Sequence, residues 1–265
     1  MDFLELYNIK DESEQINQLY SIFDENTRLN RSKAARIEFI TTVKYIEKYL
    51  KPNSKILDIG AGAGEYSIYF AEKGYSISAI ELSDNNIKAF RNKITPEMKI
   101  DLCQGNALDL SRYQSNSFDV ILLFGPLYHL HKKEDRLKCI EEAKRVLKPD
   151  GTIFFAFIQN DMVILTEMCY DKEYLKGNTY DHTTFKVEDF PFVFSSVDEC
   201  RELLSLSGIN VIHEIASDGA SELLQDKINE LDDESYNQYI KYHFHICEKK
   251  EMLGMSNHLL FVGRK

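Results

Sequence analysis

The clearest chemical signal in the sequence is a glycine-rich loop that directly follows a short apolar segment. Asp58 precedes Gly60, Gly62 and Gly64 in the order acid-x-Gly-x-Gly-x-Gly. Alternating glycines let a ligand touch the backbone, because no Cβ stands in the way. A dinucleotide fingerprint needs glycine at the sixth position counted from Gly60, where this chain has Glu65, and a second negative charge there would oppose a pyrophosphate. The loop therefore favours a ligand with an ammonium group, which the Asp58 carboxylate suits.

Three further polar segments stand where neighbouring strands are expected to end. Glu81 lies 21 positions after Gly60, at the end of the second predicted strand, where a carboxylate can accept both hydroxyls of a ribose. The turn Gly105-Asn106-Ala107 ends the third strand, where the edge of an adenine would lie. Phe124-Gly125 ends the fourth strand. Because ligands of open parallel sheets bind beyond the carboxyl ends of the strands, these segments predict a nucleoside cofactor.

The elements that must position these residues alternate between strands and helices. The sequence predicts strands at 55–59, 75–82, 100–104, 118–124, 152–158, 209–215 and 258–262. It predicts helices at 31–50, 64–73, 84–92, 133–148 and 197–207, a helical stretch at 221–250, and a turn at Pro149-Asp150-Gly151. This alternation is typical of a mostly parallel sheet with right-handed crossovers and helices on both faces.

In this order, the segments resemble the motifs of class I S-adenosylmethionine-dependent methyltransferases. The resemblance rests on Leu57–Gly64, Glu81, Gly105–Ala107, Phe118–His129 and Val146–Gly151. It covers residues 50–160 densely and 258–265 loosely. It implies a Rossmann-like methyltransferase sheet of seven strands, the last antiparallel, and S-adenosyl-L-methionine as the cofactor. The run Gly-Pro-Leu-Tyr-His-Leu at 125–130 resembles a bacterial subgroup that acts on small molecules.

The resemblance also implies which residues form the site. Cofactor contacts are expected from Asp58, Gly60, Ala61, Gly62, Gly64, Glu81, Leu82, Asn106, Ala107, Phe124 and Gly125. Asn106 stands where the family usually has Asp; its amide oxygen can accept from the adenine amine, or it can serve only an Asx turn. Tyr128 and His129 are the candidate catalytic residues, His129 as a general base with the ordinary imidazole pKa of about 6.5, and each can instead pack beside the cofactor. Arg28 or Arg31 is a candidate partner for the methionine carboxylate.

We expect a single methyltransferase domain over residues 1–265. Its expected parts are N-terminal cap helices (1–50), a cofactor-binding core (51–158), a lid insertion (159–195), and a C-terminal half of the sheet (196–265) with a helical insertion (219–255). The lid prediction rests on aromatic residues between 170 and 194, which can cover an apolar substrate or form ordinary core.

Charge and composition restrict the partners. The formal net charge is −11 and no basic cluster offsets it, which argues against binding to nucleic acid or to an anionic membrane. The five cysteines form no CxxC pair, and the N-terminus has no signal-peptide pattern, so we expect a cytoplasmic protein. His243 and His245 would point about 200° apart on a helix, so no metal site is expected.

The sequence thus predicts methyl transfer by in-line displacement to an oxygen, nitrogen or carbon of a small-molecule acceptor, by a monomer or homodimer. Two alternatives stay open: a non-catalytic S-adenosylmethionine sensor or adaptor, and a methyltransferase that acts on protein or RNA. The Asn/Asp-Pro-Pro-Tyr/Trp signature of amino-directed nucleic-acid methyltransferases is absent, because Gly125-Pro126-Leu127-Tyr128 stands in its place. A nicotinamide-dependent oxidoreductase is disfavoured, because this chain lacks the sixth-position glycine that such an enzyme needs.

Overall fold

An eight-stranded sheet organises the computed structural model, which describes residues 3–23 and 25–265. Met1, Asp2 and Asp24, which belong to the predicted N-terminal cap, lie outside the described residues. The strands are β1 (Lys55–Ile59), β2 (Ser76–Glu81), β3 (Ile100–Gln104), β4 (Phe118–Leu123), β5 (Leu147–Gln159), β6 (Phe194–Ser195), β7 (Asn210–Ala216) and β8 (His258–Arg264).

Seven of these strands lie side by side in the order β3-β2-β1-β4-β5-β8-β7. Pairing is parallel from β3 through β5, and β8 runs antiparallel to both β5 and β7. The predicted seven-stranded sheet with an antiparallel last strand is therefore confirmed. The short strand β6 was not predicted; it pairs in parallel with the end of β5, and two residues are too few to show an alternating pattern.

Eleven α-helices surround the sheet in the described part of the chain. They are α1 (Phe3–Leu6), α2 (Glu12–Ile22), α3 (Lys33–Glu47), α4 (Glu65–Glu72), α5 (Asp84–Arg91), α6 (Lys133–Val146), α7 (Asn160–Tyr170), α8 (Val197–Leu206), α9 (Gln225–Glu230), α10 (Asp233–Ile246) and α11 (Lys250–Leu253). Ser32, Ser83 and Ser196 begin α3, α5 and α8, because each serine hydroxyl accepts a hydrogen bond from the backbone N–H three residues later.

Both faces of the sheet are buried, and β1 shows how the sequence achieves this. Leu57 and Ile59 face the cluster that includes α6 and α8, whereas Ile56 faces the cluster that includes α3 and α4. This is the two-residue period of a strand. Asp58 points to the same side as Ile56 and accepts a hydrogen bond from Ser67 of α4. The alternation therefore places one carboxylate inside the apolar layer beside the glycine loop.

Two predicted elements differ from the structure. The predicted helical stretch at 221–250 is divided, because Leu231 has extended backbone angles and Asp232 begins α10 as its N-cap. The predicted strand at 152–158 begins earlier, at Leu147, and its pairing with β4 jumps from Leu147 to Thr152. The predicted Pro149-Asp150-Gly151 turn is thus an irregular segment inside β5.

Hydrogen bonds hold the N-terminal segment against the sheet. The backbone N–H of Asp84 donates to Asn17 Oδ1 at 3.1 Å, and Asn85 Nδ2 donates to the Tyr20 carbonyl at 3.4 Å. These bonds join α2 to α5 at the carboxyl end of β2.

The division of the chain into cap, core, lid and C-terminal parts stays a prediction. None of the helices in the described ranges has the length and apolar character needed to cross a membrane.

Candidate functional site

A cavity, called here the first cavity, lies at the carboxyl ends of β1 to β4, where open parallel sheets bind ligands. It contains ten of the eleven predicted cofactor residues: Asp58, Gly60, Ala61, Gly62, Glu81, Leu82, Asn106, Ala107, Phe124 and Gly125. Tyr128 and His129 line it as well. The N-terminal segment closes it with Arg28, a predicted partner of the methionine carboxylate, and with Ser13, Ile16, Tyr20 and Glu25, which the sequence did not identify as site residues.

The three glycines of the loop serve different purposes. All three have positive φ: +72° at Gly60, +55° at Gly62 and +81° at Gly64. A Cβ on Gly60 would lie 2.6 Å from Pro126 Cδ, and one on Gly64 would lie inside the Phe90 ring. Among the described residues, a Cβ on Gly62 would meet only Glu25 Cγ, at 3.3 Å. Gly60 and Gly64 therefore allow close packing, while Gly62 keeps backbone open toward the cavity.

Gly64 is the one predicted cofactor residue outside the lining of the first cavity. It stands at the N-cap of α4, and the Phe90 ring occupies the space beside it. The glycine there serves the strand-to-helix turn and its packing against Phe90, and a cofactor contact at Gly64 stays a prediction.

Glu81 joins the end of β2 to the glycine loop. Its Oε2 accepts from the Gly62 N–H at 2.7 Å, and its Oε1 accepts from the Ser83 N–H at 2.8 Å. The residue is only 5% exposed, and this burial raises the pKa of its carboxyl despite the backbone donors. Oε1 also accepts from Asn86 Nδ2 at 3.4 Å, whereas Oε2 keeps a second lone pair, so Glu81 can hold the loop and still accept from a ribose hydroxyl.

Asp58 is a second buried carboxyl in this cavity. Ser67 Oγ donates to Asp58 Oδ2 at 2.7 Å. Burial raises the pKa of Asp58 to about 7, and the charge of Glu81 adds to the increase while Ser67 opposes it. A buried carboxyl with a raised pKa is stabilised as a carboxylate by a cation placed beside it.

Asn106 forms the Asx turn that the sequence allowed. Its Oδ1 accepts from the Leu108 N–H at 2.9 Å, and its carbonyl oxygen accepts from the Asp109 N–H at 3.0 Å. Asn106 also lines the first cavity. One lone pair of the amide oxygen is therefore used within the turn, and a second remains for a ligand.

Tyr20 and His129 form a pair between the N-terminal segment and the loop after β4. Tyr20 Oη and His129 Nε2 share a hydrogen bond of 2.8 Å, and His129 Nδ1 is buried without a partner among the described residues. Burial lowers the pKa of His129 to about 3, with a smaller effect from His131. The imidazole is therefore neutral at pH 7 and a weak base. This disagrees with the expectation that its pKa lies near 6.5 and makes it the local general base.

A row of alternating charges, called here the ion chain, connects the N-terminal segment to β8. Arg28 contacts Glu25 at 2.9 Å and Glu38 at 2.6 Å. His258 Nδ1 lies 3.5 Å from Glu38 Oε2 and 2.7 Å from Asp218 Oδ2. Arg28 is thus shared by two carboxylates in addition to facing the first cavity, whereas Arg31, the other predicted partner, lines a different cavity.

Within the ion chain, Glu38, Asp218 and His258 place three potential metal ligands within 4.8 Å of one another. Burial lowers the pKa of His258, but Glu38 and Asp218 outweigh it and raise that pKa to about 9. The imidazolium, together with Arg28, supplies the positive charge that the two carboxylates require. His243, considered above for a metal site, instead shares a buried hydrogen bond of 2.9 Å with Thr41.

A second cavity adjoins the first, because Tyr20, Glu25, Arg28 and Tyr128 line both. Its other lining residues include Phe23, Arg31, Glu38, Ile158, Val163, Glu167, Phe192, Phe194, Asp218, Glu222, Asn257 and His258. Only Phe192 and Phe194 of the predicted lid aromatics belong to this lining. Both also join a small core cluster in which Tyr180 packs against Tyr174. A lid function for residues 159–195 stays a prediction.

Comparison with known proteins agrees with this geometry. Residues 57–155 match the family model of a methyltransferase domain. The chain is 25% identical over 225 residues to phosphoethanolamine N-methyltransferase of Plasmodium falciparum, covering 84% of this chain and 76% of that protein. It is 32% identical over 108 residues to demethylmenaquinone methyltransferase of Lysinibacillus sphaericus, covering 39% of this chain and 44% of that protein. This chain therefore spans less than half the length of the second relative.

A solved structure supports the fold. The S-adenosylmethionine-dependent methyltransferase of Methanosarcina mazei superposes with a TM-score of 0.55 at 21% identity, over 83% of this chain and 96% of that one. At this identity the similarity concerns the fold, which is the Rossmann-like sheet described above.

The glycine loop yields a first prediction. Gly60→Ala and Gly64→Ala should each lower the melting temperature clearly, because the new Cβ overpacks Pro126 or Phe90 at a cost of about 1–3 kcal/mol. Gly62→Ala should cost only about 1 kcal/mol, since positive φ is its main penalty. Thermal unfolding of the three variants measures this order; a Gly62→Ala protein as unstable as the other two would contradict it.

The histidines yield a second prediction. In NMR titration of the labelled imidazoles, His129 should stay neutral from pH 8 to pH 5, whereas His258 should stay protonated at pH 7 and titrate near pH 9. Because the folded pKa of His258 exceeds its unfolded value, its stabilising contribution is complete below about pH 6.5 and is lost as the pH rises through 9.

His129→Ala and His258→Gln assign the two signals. A His129 midpoint near 6.5 would restore this residue as a general base, and a His258 midpoint near 6.5 would show that the ion chain is not formed in solution.

Proposed function

We propose that this chain, which belongs by its fold and its methyltransferase domain to the class I S-adenosylmethionine-dependent methyltransferases, transfers a methyl group from S-adenosylmethionine to a small-molecule acceptor. The observation that carries the proposal is the pair of buried carboxyls, Asp58 and Glu81, beside the open backbone of Gly62 at the carboxyl end of the sheet. The methyltransferase-domain match over residues 57–155 supports it.

The residues of the first cavity fit this cofactor chemically. Its amino-acid end carries an ammonium, which suits Asp58, and a carboxylate, which suits the guanidinium of Arg28. Its ribose carries two vicinal hydroxyls, which suit the oxygens of Glu81. Its adenine is flat and largely apolar, and Leu82, Ala107 and Leu108 provide apolar surface in the same cavity. A pyrophosphate would meet Glu65 and Asp58, so a dinucleotide fits poorly.

S-adenosylmethionine, when bound, supplies an activated methyl group on a positively charged sulfur. The part of the protein is then mainly to bring an acceptor into line with that methyl group and to exclude water, which can lower the barrier by about 7–11 kcal/mol through proximity. Tyr20 and Tyr128 line both cavities, and His129 lines the first. His129 is buried and the two tyrosines are partly buried. Each tyrosine ring contacts the His129 ring, so the three can form a rigid boundary beside the acceptor.

His129 is assigned a positioning role in this scheme. Its low pKa removes it as an efficient proton acceptor at neutral pH, but its hydrogen bond orients the Tyr20 hydroxyl at the boundary between the cavities. The Tyr128 ring also contacts the His129 ring, with centroids 5.1 Å apart. Tyr128 and His129 stay candidates for contact with the acceptor.

The second cavity is the candidate site for the acceptor and is the observation that favours an enzyme over a cofactor sensor. A sensor needs one ligand site, whereas this chain has a second cavity that shares four residues with the first. A protein or RNA substrate would require an open cleft for the chain, and the strongly negative charge disfavours RNA.

A cytoplasmic location is proposed because the five cysteines are free thiols.

Asp58 makes cofactor binding depend on pH. Because the pKa of Asp58 is about 7, the buried carboxyl is ionised above pH 7 and protonated below it. The ammonium of the cofactor binds the ionised form, so it lowers this pKa when it binds. Affinity for S-adenosylmethionine should therefore fall by about tenfold between pH 8 and pH 6. Calorimetry at pH 7 in buffers of different ionisation enthalpy should detect proton release on binding.

Asp58→Asn provides the control, since it keeps the size of the side chain and an acceptor for Ser67. It should bind the cofactor weakly and with little dependence on pH. If the affinity of this variant depends on pH as that of the wild type does, Asp58 is not the group that binds the ammonium.

Glu81 provides the direct test of the cofactor assignment. Hydrogen bonds to charged groups contribute about 1.5–3 kcal/mol each, so Glu81→Ala should weaken binding of S-adenosylmethionine and S-adenosylhomocysteine by tenfold or more. Glu81→Asp should be nearly as harmful, because the carboxylate retreats by one methylene. Glu97→Ala, at an exposed position, is the matched control. Wild-type affinity in both Glu81 variants would overturn the placement of the ribose.

A further inference from the structure

The second cavity contains more carboxylates than its cations can balance. The described lining residues include the carboxylates Glu25, Glu38, Glu167, Asp218 and Glu222, against the cations Arg28, Arg31 and His258. The ion chain accounts for three of these carboxylates, because Arg28 and His258 lie among Glu25, Glu38 and Asp218. Glu167 and Glu222 remain outside it.

Glu167 and Glu222 make no ion pair with another described side chain. Glu222 accepts hydrogen bonds from the neutral groups Asn257 Nδ2 and Tyr170 Oη. Burial, with the charge of Glu222 next, raises the pKa of Glu167. Arg31 and Glu167 are both exposed, so water screens much of their charge, whereas Glu222 is half-buried. The interior of the cavity therefore favours a positive ligand.

Aromatic rings line the same cavity. Phe23 contacts Tyr20 and Phe192 edge-on, with centroids 6.3 and 6.5 Å apart, and Phe192 contacts Tyr128 at 6.1 Å. Phe194 belongs to the lining as well. Rings of this kind attract organic cations through their negative faces and accept their hydrocarbon parts. Carboxylates and aromatic rings together form the chemistry that recognises an alkyl- or arylalkylammonium.

From this cavity we propose that the methyl acceptor is a small amine and that the methylated atom is its nitrogen. The inference rests on the proposed function, since it names the acceptor class for the same site. Aromatic rings and uncompensated carboxylates in a cavity that adjoins the cofactor site carry it.

The charge changes of the transfer favour this acceptor. The nitrogen lone pair forms the new N–C bond while the electrons of the C–S bond return to sulfur, which leaves a methylated ammonium and a neutral thioether. Positive charge thus moves from the first cavity toward the second, where Glu167, Glu222 and the rings stabilise it more as it develops. An anionic oxygen acceptor would instead be repelled by the same carboxylates.

The proton balance also fits an amine. The amine loses one proton to water before the transfer and reacts as the free base, so the transfer step itself releases none. No group of the site has to remove a proton during methyl transfer, which agrees with the neutral, weakly basic His129. A neutral alcohol would need such a base.

A binding experiment tests the proposal without requiring turnover. Three ligands of similar shape are compared on the complex with S-adenosylhomocysteine: 2-phenylethylamine, 2-phenylethanol and phenylacetate. At about ten times its dissociation constant, the amine should raise the melting temperature by about 3 °C or more, and the alcohol and acid should not. Methylation assays with the same ligands and S-adenosylmethionine should yield N-methyl-2-phenylethylamine as the product.

Variants locate the effect in the cavity. Glu222→Gln should weaken binding of the amine by about tenfold, a loss typical of removing a charged hydrogen-bond acceptor, and Glu167→Gln by a smaller factor because Glu167 is exposed. Affinity for S-adenosylhomocysteine should stay within about threefold in both variants. Glu167→Lys should abolish amine binding and allow phenylacetate to bind. Glu230→Gln, an exposed carboxylate of α9, is the matched control and should behave as wild type.

The outcomes separate the two proposals. If S-adenosylhomocysteine itself fails to stabilise the protein, the proposed function is wrong. If it stabilises the protein but phenylacetate or 2-phenylethanol binds as well as the amine, or the amine does not bind, the amine inference is overturned. Amine binding that survives Glu167→Lys would likewise overturn it, because the cavity would then not be the site.

Discussion

The ion chain is the interaction on which the shape of both cavities depends. Glu25 and Arg28 come from the N-terminal segment, Glu38 from α3, Asp218 from the end of β7 and His258 from the start of β8. Breaking one member would leave buried charges without partners, which typically costs several kcal/mol. The ion chain therefore acts together with the hydrogen bonds of α2 to hold the N-terminal segment over the sheet, where its residues close the first cavity.

The parts of the molecule that the sequence predicts well are those with local signals. The strand that ends at Ile59, the alternating glycines and the acid at Glu81 each follow from periodicity or from a backbone requirement, and the structure brings them to one edge of the sheet. Gly64 shows the limit of the pattern: its motif position is the same in kind as that of Gly62, but its neighbour is Phe90 rather than the cavity. Only the fold reveals which atoms surround each glycine.

The residues that the sequence could not place are those without a local pattern. Tyr20 and His129 are far apart in the chain, as are Glu38 and His258, and no spacing rule connects them. The pKa of His129 is equally invisible in the sequence, because it depends on burial by segments that come from elsewhere in the fold. The reading of His129 as a base used the ordinary value of an exposed imidazole, and the structure removes that assumption.

The residues common to both cavities have a consequence for how their occupants affect each other. Tyr20, Glu25 and Arg28 belong to the N-terminal segment and line the first and second cavities together. A ligand in either cavity therefore acts on the same short piece of chain and alters the free energy of placing that piece. By thermodynamic linkage, the factor by which one occupant changes the affinity of the other must be the same in both directions. The N-terminal segment that lies between the two ligands is thus also the element that couples their binding.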